Sequence, residues 1–251
     1  DRQARDIKKG SHIVVATPGR LIDMIGRRLV KINEVNTVVL DEADEMLNMG
    51  FKEDIDAILD NTPPERNTWL FSATMPKEVA QIAKNYMVKP LEISVGGKNE
   101  SAKNITHAYY QVNERDRYYA LKRLLDYNPS IFGLVFCRTR RETQTVASNL
   151  IRDGYNAEAL HGDLSQQQRD AVMGKFRDRV IQILVATDVA ARGIDVDDIT
   201  HVINYNLPDE VENYTHRSGR TARAGKSGES LVLVNTREGG KIKRIEKIIK
   251  K

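Results

Sequence analysis

Short apolar, β-branched runs alternate with segments of helical spacing along nearly the whole chain. In the first part, HIVVA (12–16), TVVL (37–40), TWLF (68–71) and LEISV (91–95) read as strands. Continuous apolar runs of this length, bounded by polar turns, suit strands covered on both faces. KEDIDAILDN (52–61) and PKEVAQIAKNYM (76–87) lie between them, with apolar residues three and four apart, and read as helices. GGKNESAKN (96–104) is small and polar without periodicity, so it predicts a linker.

After it the alternation restarts. HAYYQV, GLVFC, AEAL, IQILVAT, HVINY and SLVLV read as strands, and DRYYALKRLLDY, ETQTVASNLIRDG, SQQQRDAVMGKFR, DEVENYTHR and a closing segment from Lys241 as helices. The pattern predicts an α/β fold of two parallel-sheet domains, 1–95 and 104–251, joined by residues 96–103. About four strands are few for a doubly wound sheet, so the first domain reads as the back half of one. In such sheets ligands sit beyond the carboxyl ends of the strands, which is where chemistry is to be sought.

Composition adds little. The 251 residues are 40% hydrophobic and 29% charged, as in ordinary soluble globular proteins. The single cysteine, Cys137, excludes a disulfide framework and suits a reducing cytoplasm. No run reaches the length of a membrane span, and DRQARDIKKG is no signal peptide. The net charge of +4 is uneven: residues 1–100 carry 14 Lys/Arg against 16 Asp/Glu, and 101–251 carry 25 against 19. The final REGGKIKRIEKIIKK holds seven basic and two acidic side chains, which tolerates a polyanionic partner without demanding one.

Candidate chemistry follows the apolar runs. TVVLDEADEML sets Asp41 and Glu42 at a strand tip. There they suit Mg²⁺, which takes one or two carboxylates with waters and phosphates, or alternatively cap the next helix. FSATMP (71–76) brings the hydroxyls of Ser72 and Thr74 after the next strand, and VVATPGR (14–20) offers Thr17, a Pro-Gly turn and Arg20 to a phosphate backbone. Beyond the linker come VFCRTR, LHGDLSQQQR, VATDVAARGID and HRSGRTARAG. GRTARAGKS (219–227) imitates a phosphate-binding loop, but G-x-x-x-x-G-K-[ST] needs glycine at 220, where Arg220 stands. The preceding DEVENYTHRS is polar rather than a buried strand.

In order, spacing and strand-end placement these motifs resemble the DEAD-box family of ATP-dependent RNA helicases in superfamily 2, the bacterial cold-shock type most closely. The resemblance covers essentially the whole chain. It implies two RecA-like domains, the first incomplete, and a cytoplasmic enzyme coupling ATP binding and hydrolysis, with Mg²⁺, to RNA clamping and local unwinding. Asp41 would organise Mg²⁺ through water, and Glu42 would act as base or positioner for the attacking water. Arg220 and Arg223 would be arginine fingers for the γ-phosphate, and Asp195 would contact the ribose. Asp44 and His216 would link the nucleotide site to Ser72 and Thr74. Thr17, Pro18, Gly19, Arg20, Arg138, Gly162, Gln166, Arg169, Thr187 and Gly193 would line the RNA backbone, largely independent of base sequence. Lys226 and Ser227 are then ordinary loop residues.

The family's phosphate loop, adenine-recognising glutamine motif and first RNA-gripping motifs have no counterpart in residues 1–13. The expectation is therefore a helicase fragment, inactive on ATP by itself. A non-catalytic RNA-binding fragment and a superfamily 2 DNA helicase are the alternatives; DEAD followed by SAT, without a zinc-ligand cluster, argues against the latter.

Overall fold

The computed structural model describes residues 2–94 and 104–249, and the chain divides into two compact units, 1–98 and 99–251. The expected linker, 96–103, lies outside the described residues. Among the described residues no helix is long and apolar enough to cross a membrane.

Unit 1 carries α1 (Arg2–Lys8), α2 (Pro18–Gly26), β1 (Thr37–Leu40), α3 (Ala43–Asn48), α4 (Lys52–Asp60), β2 (Asn67–Leu70) and α5 (Lys77–Tyr86). β1 and β2 pair in parallel, with Val39 opposite Trp69 and Leu40 opposite Leu70. One face of this ribbon is buried: Leu40 packs with Ile55 and Leu59 of α4 and with Val79 and Ile82 of α5. On the other face Val39, Trp69 and, just beyond β2, Phe71 are 52%, 57% and 52% exposed. α2 docks its Met24 against Ile58 of α4, with Val30 and Ile32 filling the gap.

Two expected strands are corrected. HIVVA and the described part of LEISV have no ladder, and Ile13, Val15, Leu91 and Ile93 are exposed. A strand exists only through its partner's hydrogen bonds, and among the described residues unit 1 pairs only β1 with β2. The sequence reading also passed over α1 and α2.

Unit 2 is a six-stranded, all-parallel sheet in the order β3-β8-β7-β4-β6-β5. Its strands are β3 (Ile105–Gln111), β4 (Gly133–Phe136), β5 (Ala157–Leu160), β6 (Ile183–Ala186), β7 (His201–Asn204) and β8 (Gly228–Val234). Between them run α6 (Arg117–Tyr127), α7 (Arg140–Arg152), α8 (Gln166–Arg177), the short α9 (Asp188–Ala191) and α10 (Glu212–Ser218), with α11 (Gly239–Ile249) closing. β4, β6 and β7 are buried at every position, which is why they read as unbroken apolar runs.

Side-chain alternation splits the core between the two faces. Val135, Val185, Ile203 and Leu231 meet Leu121 and Leu125 of α6 and Val146 and Leu150 of α7. Leu134, Phe136, Leu184 and Val202 meet Val172, Met173 and Phe176 of α8 on the opposite side. Val232 and Val234 continue that side onto Tyr214 of α10 and Ile242 and Ile245 of α11. α8 is started by a reciprocal capping box between Ser165 and Gln168, and α7 by the Thr139 hydroxyl accepting from the Glu142 amide.

Candidate functional site

In unit 1 the parallel pair brings two loops to one edge. Asp41 and Glu42 directly follow β1, while Phe71 and Ser72 follow β2; Phe71 N–H reaches Leu40 O at 2.8 Å, and Ala43 N–H reaches Phe71 O at 3.1 Å. Asp41 and Glu42 are exposed. Asp41 Oδ1 accepts the Glu42 amide at 3.0 Å. Glu42 is left-handed at φ 50°, ψ 46°, a conformation that costs a non-glycine residue roughly 1–2 kcal/mol and gathers at working sites.

One position further on, α3 turns inward, and Asp44 is 1% exposed. Its Oδ2 accepts the Thr74 amide at 2.8 Å and the Thr74 hydroxyl at 2.6 Å, while its own amide donates to Ser72 Oγ at 3.3 Å. Ser72 Oγ–H in turn donates to Thr74 O at 2.6 Å. The buried carboxylate therefore fastens the loop after β2 to the loop after β1, and Asp41 and Glu42 stand at its solvent side. Among the described residues no group of three or more His, Cys, Asp or Glu is placed to hold a metal ion. A lone exposed carboxylate at a strand tip fits a cation that keeps its waters, such as Mg²⁺ held partly by phosphates, and does not fit an all-protein cage. Earlier in this unit Thr17, exposed, precedes α2; Pro18 is buried at its first position, and Gly19 and Arg20 are exposed. Arg20 holds Asp23 at 2.6 Å and Gln3 at 2.7 Å.

Unit 2 sorts its candidates into two groups. The first lies beyond the carboxyl ends of the strands. Arg138 follows β4, its amide donating to Asn206 Oδ1 at 2.9 Å and its guanidinium 3.5 Å from Asp209. Gly162, exposed, follows β5, and Gln166 and Arg169 open α8, with Arg169 Nη2 donating to Ala190 O at 2.6 Å. Thr187 follows β6; it is 8% exposed, and its hydroxyl caps α9 by accepting from Ala190 N–H. Gly193 sits at φ +68°, a backbone angle that favours glycine.

Asp195, Arg220 and Arg223 form the second group, on loops packed where the chain enters β7. Arg223 Nη1 is 3.0 Å from Asp195 Oδ1, and its Nε donates to Gly219 O at 3.3 Å. Arg220 Nη1 donates to Ile194 O at 3.2 Å. Lys226 does not sit in a phosphate loop: α10 precedes this segment, β8 follows it, and the ammonium is bonded to Asp198. His216, half-buried on α10, belongs to unit 2, whereas Asp44, Ser72 and Thr74 belong to unit 1.

The residue passed over by the sequence reading is Arg217. It is 2% exposed and uses its whole fork: Nε and Nη2 grip Asp188 at 2.5 and 2.7 Å, and Nη1 donates to Asn204 Oδ1 at 2.9 Å and Asn206 O at 2.7 Å. Its guanidinium lies 4.9 Å over the Phe136 ring. Asn206 also binds the Arg138 amide, so one buried cation ties α10 to the strand-end loops that carry Thr187 and Arg138. A signal was available: Tyr214, Arg217 and Ser218 are all buried and fall three and four apart, the inward stripe of a helix. Cys137, next to this network, is buried, and burial pushes its thiol well up.

Comparison with known proteins joins the two units. The DEAD/DEAH box helicase family model matches residues 1–82, and the helicase conserved C-terminal domain model matches residues 116–225. A curated relative, the DEAD-box ATP-dependent RNA helicase CshA of Geobacillus kaustophilus, is 49% identical over 251 residues, covering 100% of this chain and 54% of its own length. The chain thus spans about half the length of such relatives. Among solved structures, a hypothetical ATP-dependent RNA helicase from Sulfolobus tokodaii is 35% identical with a TM-score of 0.55, covering 94% of this chain and 69% of that one. Dbp5 of S. cerevisiae bound to RNA and ADP BeF3 is 29% identical with a TM-score of 0.83, covering 95% and 63%.

Proposed function

Because the chain belongs to the DEAD-box helicase family, as these matches to both of its units show, we propose that it serves an ATP-dependent RNA helicase that clamps RNA backbone and opens short duplexes in the cytoplasm. The observation that carries the reading is the knot after β1 and β2. Buried Asp44 fixes Thr74 by two hydrogen bonds and leaves Asp41 and Glu42 exposed at the strand tip.

The division of labour in this reading is the one that the family resemblance implies. Asp41 holds Mg²⁺ through water, and the ion supplies charge neutralisation at the phosphates. Glu42, strained outward, orients or deprotonates the water that attacks the γ-phosphate. Arg220 and Arg223 stabilise charge on the transferring phosphoryl group, and Asp195 holds Arg223 until the ribose takes its place. Thr17, Arg20, Arg138, Gly162, Gln166 and Arg169 meet RNA phosphates and sugars, with hydroxyls, amides and guanidiniums rather than base-stacking aromatics, so that the grip follows the backbone. Pro18 and Gly193 shape the loops that carry them, and His216 couples α10 to the nucleotide.

No G-x-x-x-x-G-K-[ST] sequence occurs in the 251 residues, so the chain alone is expected not to turn over ATP. The test uses an extended chain in which these 251 residues replace the matched region of the full-length Geobacillus relative. RNA-stimulated ATPase activity is expected to fall at least about a hundredfold in Glu42→Gln, Arg220→Lys and Arg223→Lys, because lysine lacks the planar fork. Nucleotide-free RNA binding should hardly change. Full activity in all three variants refutes the reading.

A further inference from the structure

The segment Gly219–Ser227 is stitched to the chain leading into β7. The Thr221 hydroxyl donates to Ile199 O, Lys226 bonds Asp198, and Arg223 bonds Asp195. Beneath these stitches lies a cavity of about 310 Å³, lined by Arg179, Asp198, Thr200, Arg220, Arg223 and Lys226 among others. Four cationic side chains face it against one carboxylate. Arg179 reaches in from the turn after α8, 2.9 Å from Asp198, with its guanidinium stacked 4.7 Å over the Phe132 ring. That stacking holds the planar fork in place, as a phosphate-binding arginine requires.

The backbone around the cavity is strained in the same sense. Arg179, Asp198 and Ala222, with φ of 58°, 65° and 56°, are three of the six described non-glycine residues in the left-handed region, and all three line it. Strain of this kind is retained where the surrounding structure must hold a loop for a purpose. Asp198 is the internal counter-ion: hydrogen-bonded to Lys226, its carboxyl is held below the ordinary value, so it stays ionised at neutral pH. A phosphate, with more charge and more acceptor oxygens than a carboxylate, is the natural competitor for these cations.

We propose that this cavity is a phosphate site of unit 2, taking a compact polyphosphate, either free pyrophosphate or the phosphate tail of a nucleotide, on Arg179, Lys226 and Arg220 in competition with Asp198. Its volume is on the order of ten waters' share of the liquid, room for linked phosphates rather than for a strand of RNA. Lys226 thus contributes its charge without any phosphate loop. The identity of the ligand as a nucleotide rests on the reading above; the phosphate site rests on the cavity alone.

The test titrates inorganic pyrophosphate into the 251-residue chain at low salt by calorimetry, with ATP, AMP and a short single-stranded RNA as further arms. Arg179→Ala and Lys226→Ala should each weaken pyrophosphate about tenfold, the worth of one charge-assisted hydrogen bond. Asp198→Asn should tighten it several-fold, a sign that a merely structural aspartate would not give. Lys243→Ala, at an exposed position of α11, should change nothing. ATP should bind more tightly than AMP, and RNA should not displace pyrophosphate. NMR of the wild-type chain gives a readout independent of variant folding, since the side-chain signals of Arg179 and Arg220 should shift and that of buried Arg117 should not.

Unchanged affinity in Arg179→Ala and Lys226→Ala, displacement by RNA, or weaker binding in folded Asp198→Asn overturns the site. The helicase reading fails separately, if Glu42→Gln, Arg220→Lys and Arg223→Lys leave ATPase of the extended chain intact while pyrophosphate binding persists.

Discussion

Three arginines within seven residues carry different loads. Arg217 is sealed under α10 with a carboxylate, two asparagines and an aromatic ring, whereas Arg223 pairs with Asp195, whose side chain is 90% exposed. Removing Arg217 leaves the buried Asn204 Oδ1 and Asn206 O without their donor and Asp188, 31% exposed, without its cation, which together cost about 3–5 kcal/mol, while an exposed pair is worth at most about 1 kcal/mol. Arg217→Ala should therefore lower the stability of unit 2 by about 3–5 kcal/mol in urea unfolding, and Arg223→Ala by less than about 1 kcal/mol. Arg217→Lys should recover little, because an ammonium cannot span Asp188, Asn204 and Asn206 together. Equal losses in the two alanine variants would mean that the buried network contributes nothing special. The same contrast separates the two: Arg217 is part of the scaffold of unit 2, whereas Arg223 sits on its surface with an exposed partner.

At the scale of elements, the arginine loop presses on β8 at Gly228, where a Cβ would have less room than at any other described glycine. A Cβ added at Gly228 would lie 2.0 Å from Thr221 Oγ1, 2.7 Å from its Cγ2 and 2.9 Å from the Ala222 amide. Gly228→Ala should cost about 1–3 kcal/mol by overpacking, and Thr221→Ala in the same chain should recover part of it, since the two changes share one space. Strict additivity of the two in urea unfolding would show that the contact is not the cause. Nothing in the sequence marks this glycine, for its need is set by residue 221 folding back on it. What was legible depended on whether the deciding partner was local. β4, β6 and β7 declared themselves because burial on both faces makes every position apolar, and α7 and α8 because caps and apolar stripes lie within the same few residues. HIVVA carries the same signature as β4, yet is no strand, since pairing is decided by another segment. Asp44 and Thr74, 30 residues apart, were grouped by resemblance, but the hydrogen bonds that join them are visible only in the fold. Arg217 and Asp188, 29 apart, were not grouped at all.

Over the whole molecule the two units differ in how completely they enclose their apolar surface. Unit 2 covers a six-stranded sheet on both faces, with β4, β6 and β7 wholly buried. Unit 1 has a two-stranded ribbon covered on one face, and Val39, Trp69 and Phe71 stand more than half exposed on the other. A ribbon of two strands is marginal without further cover, and an open apolar face invites association. The chain is therefore expected to unfold in two steps, unit 1 at the lower urea concentration. Trp69 is the only tryptophan in the chain and lies in β2, so its fluorescence anisotropy reports unit 1 alone, whereas far-ultraviolet circular dichroism is dominated by the longer helices and six strands of unit 2. The anisotropy transition should precede the main dichroism transition. Residues 104–251 expressed alone should reproduce the second transition unchanged, and residues 1–94 alone should aggregate at micromolar concentration. Coincident transitions at both probes, with residues 104–251 unfolded when alone, would show that unit 2 does not stand on its own core, and that the stability of either unit cannot be assigned from its own buried surface.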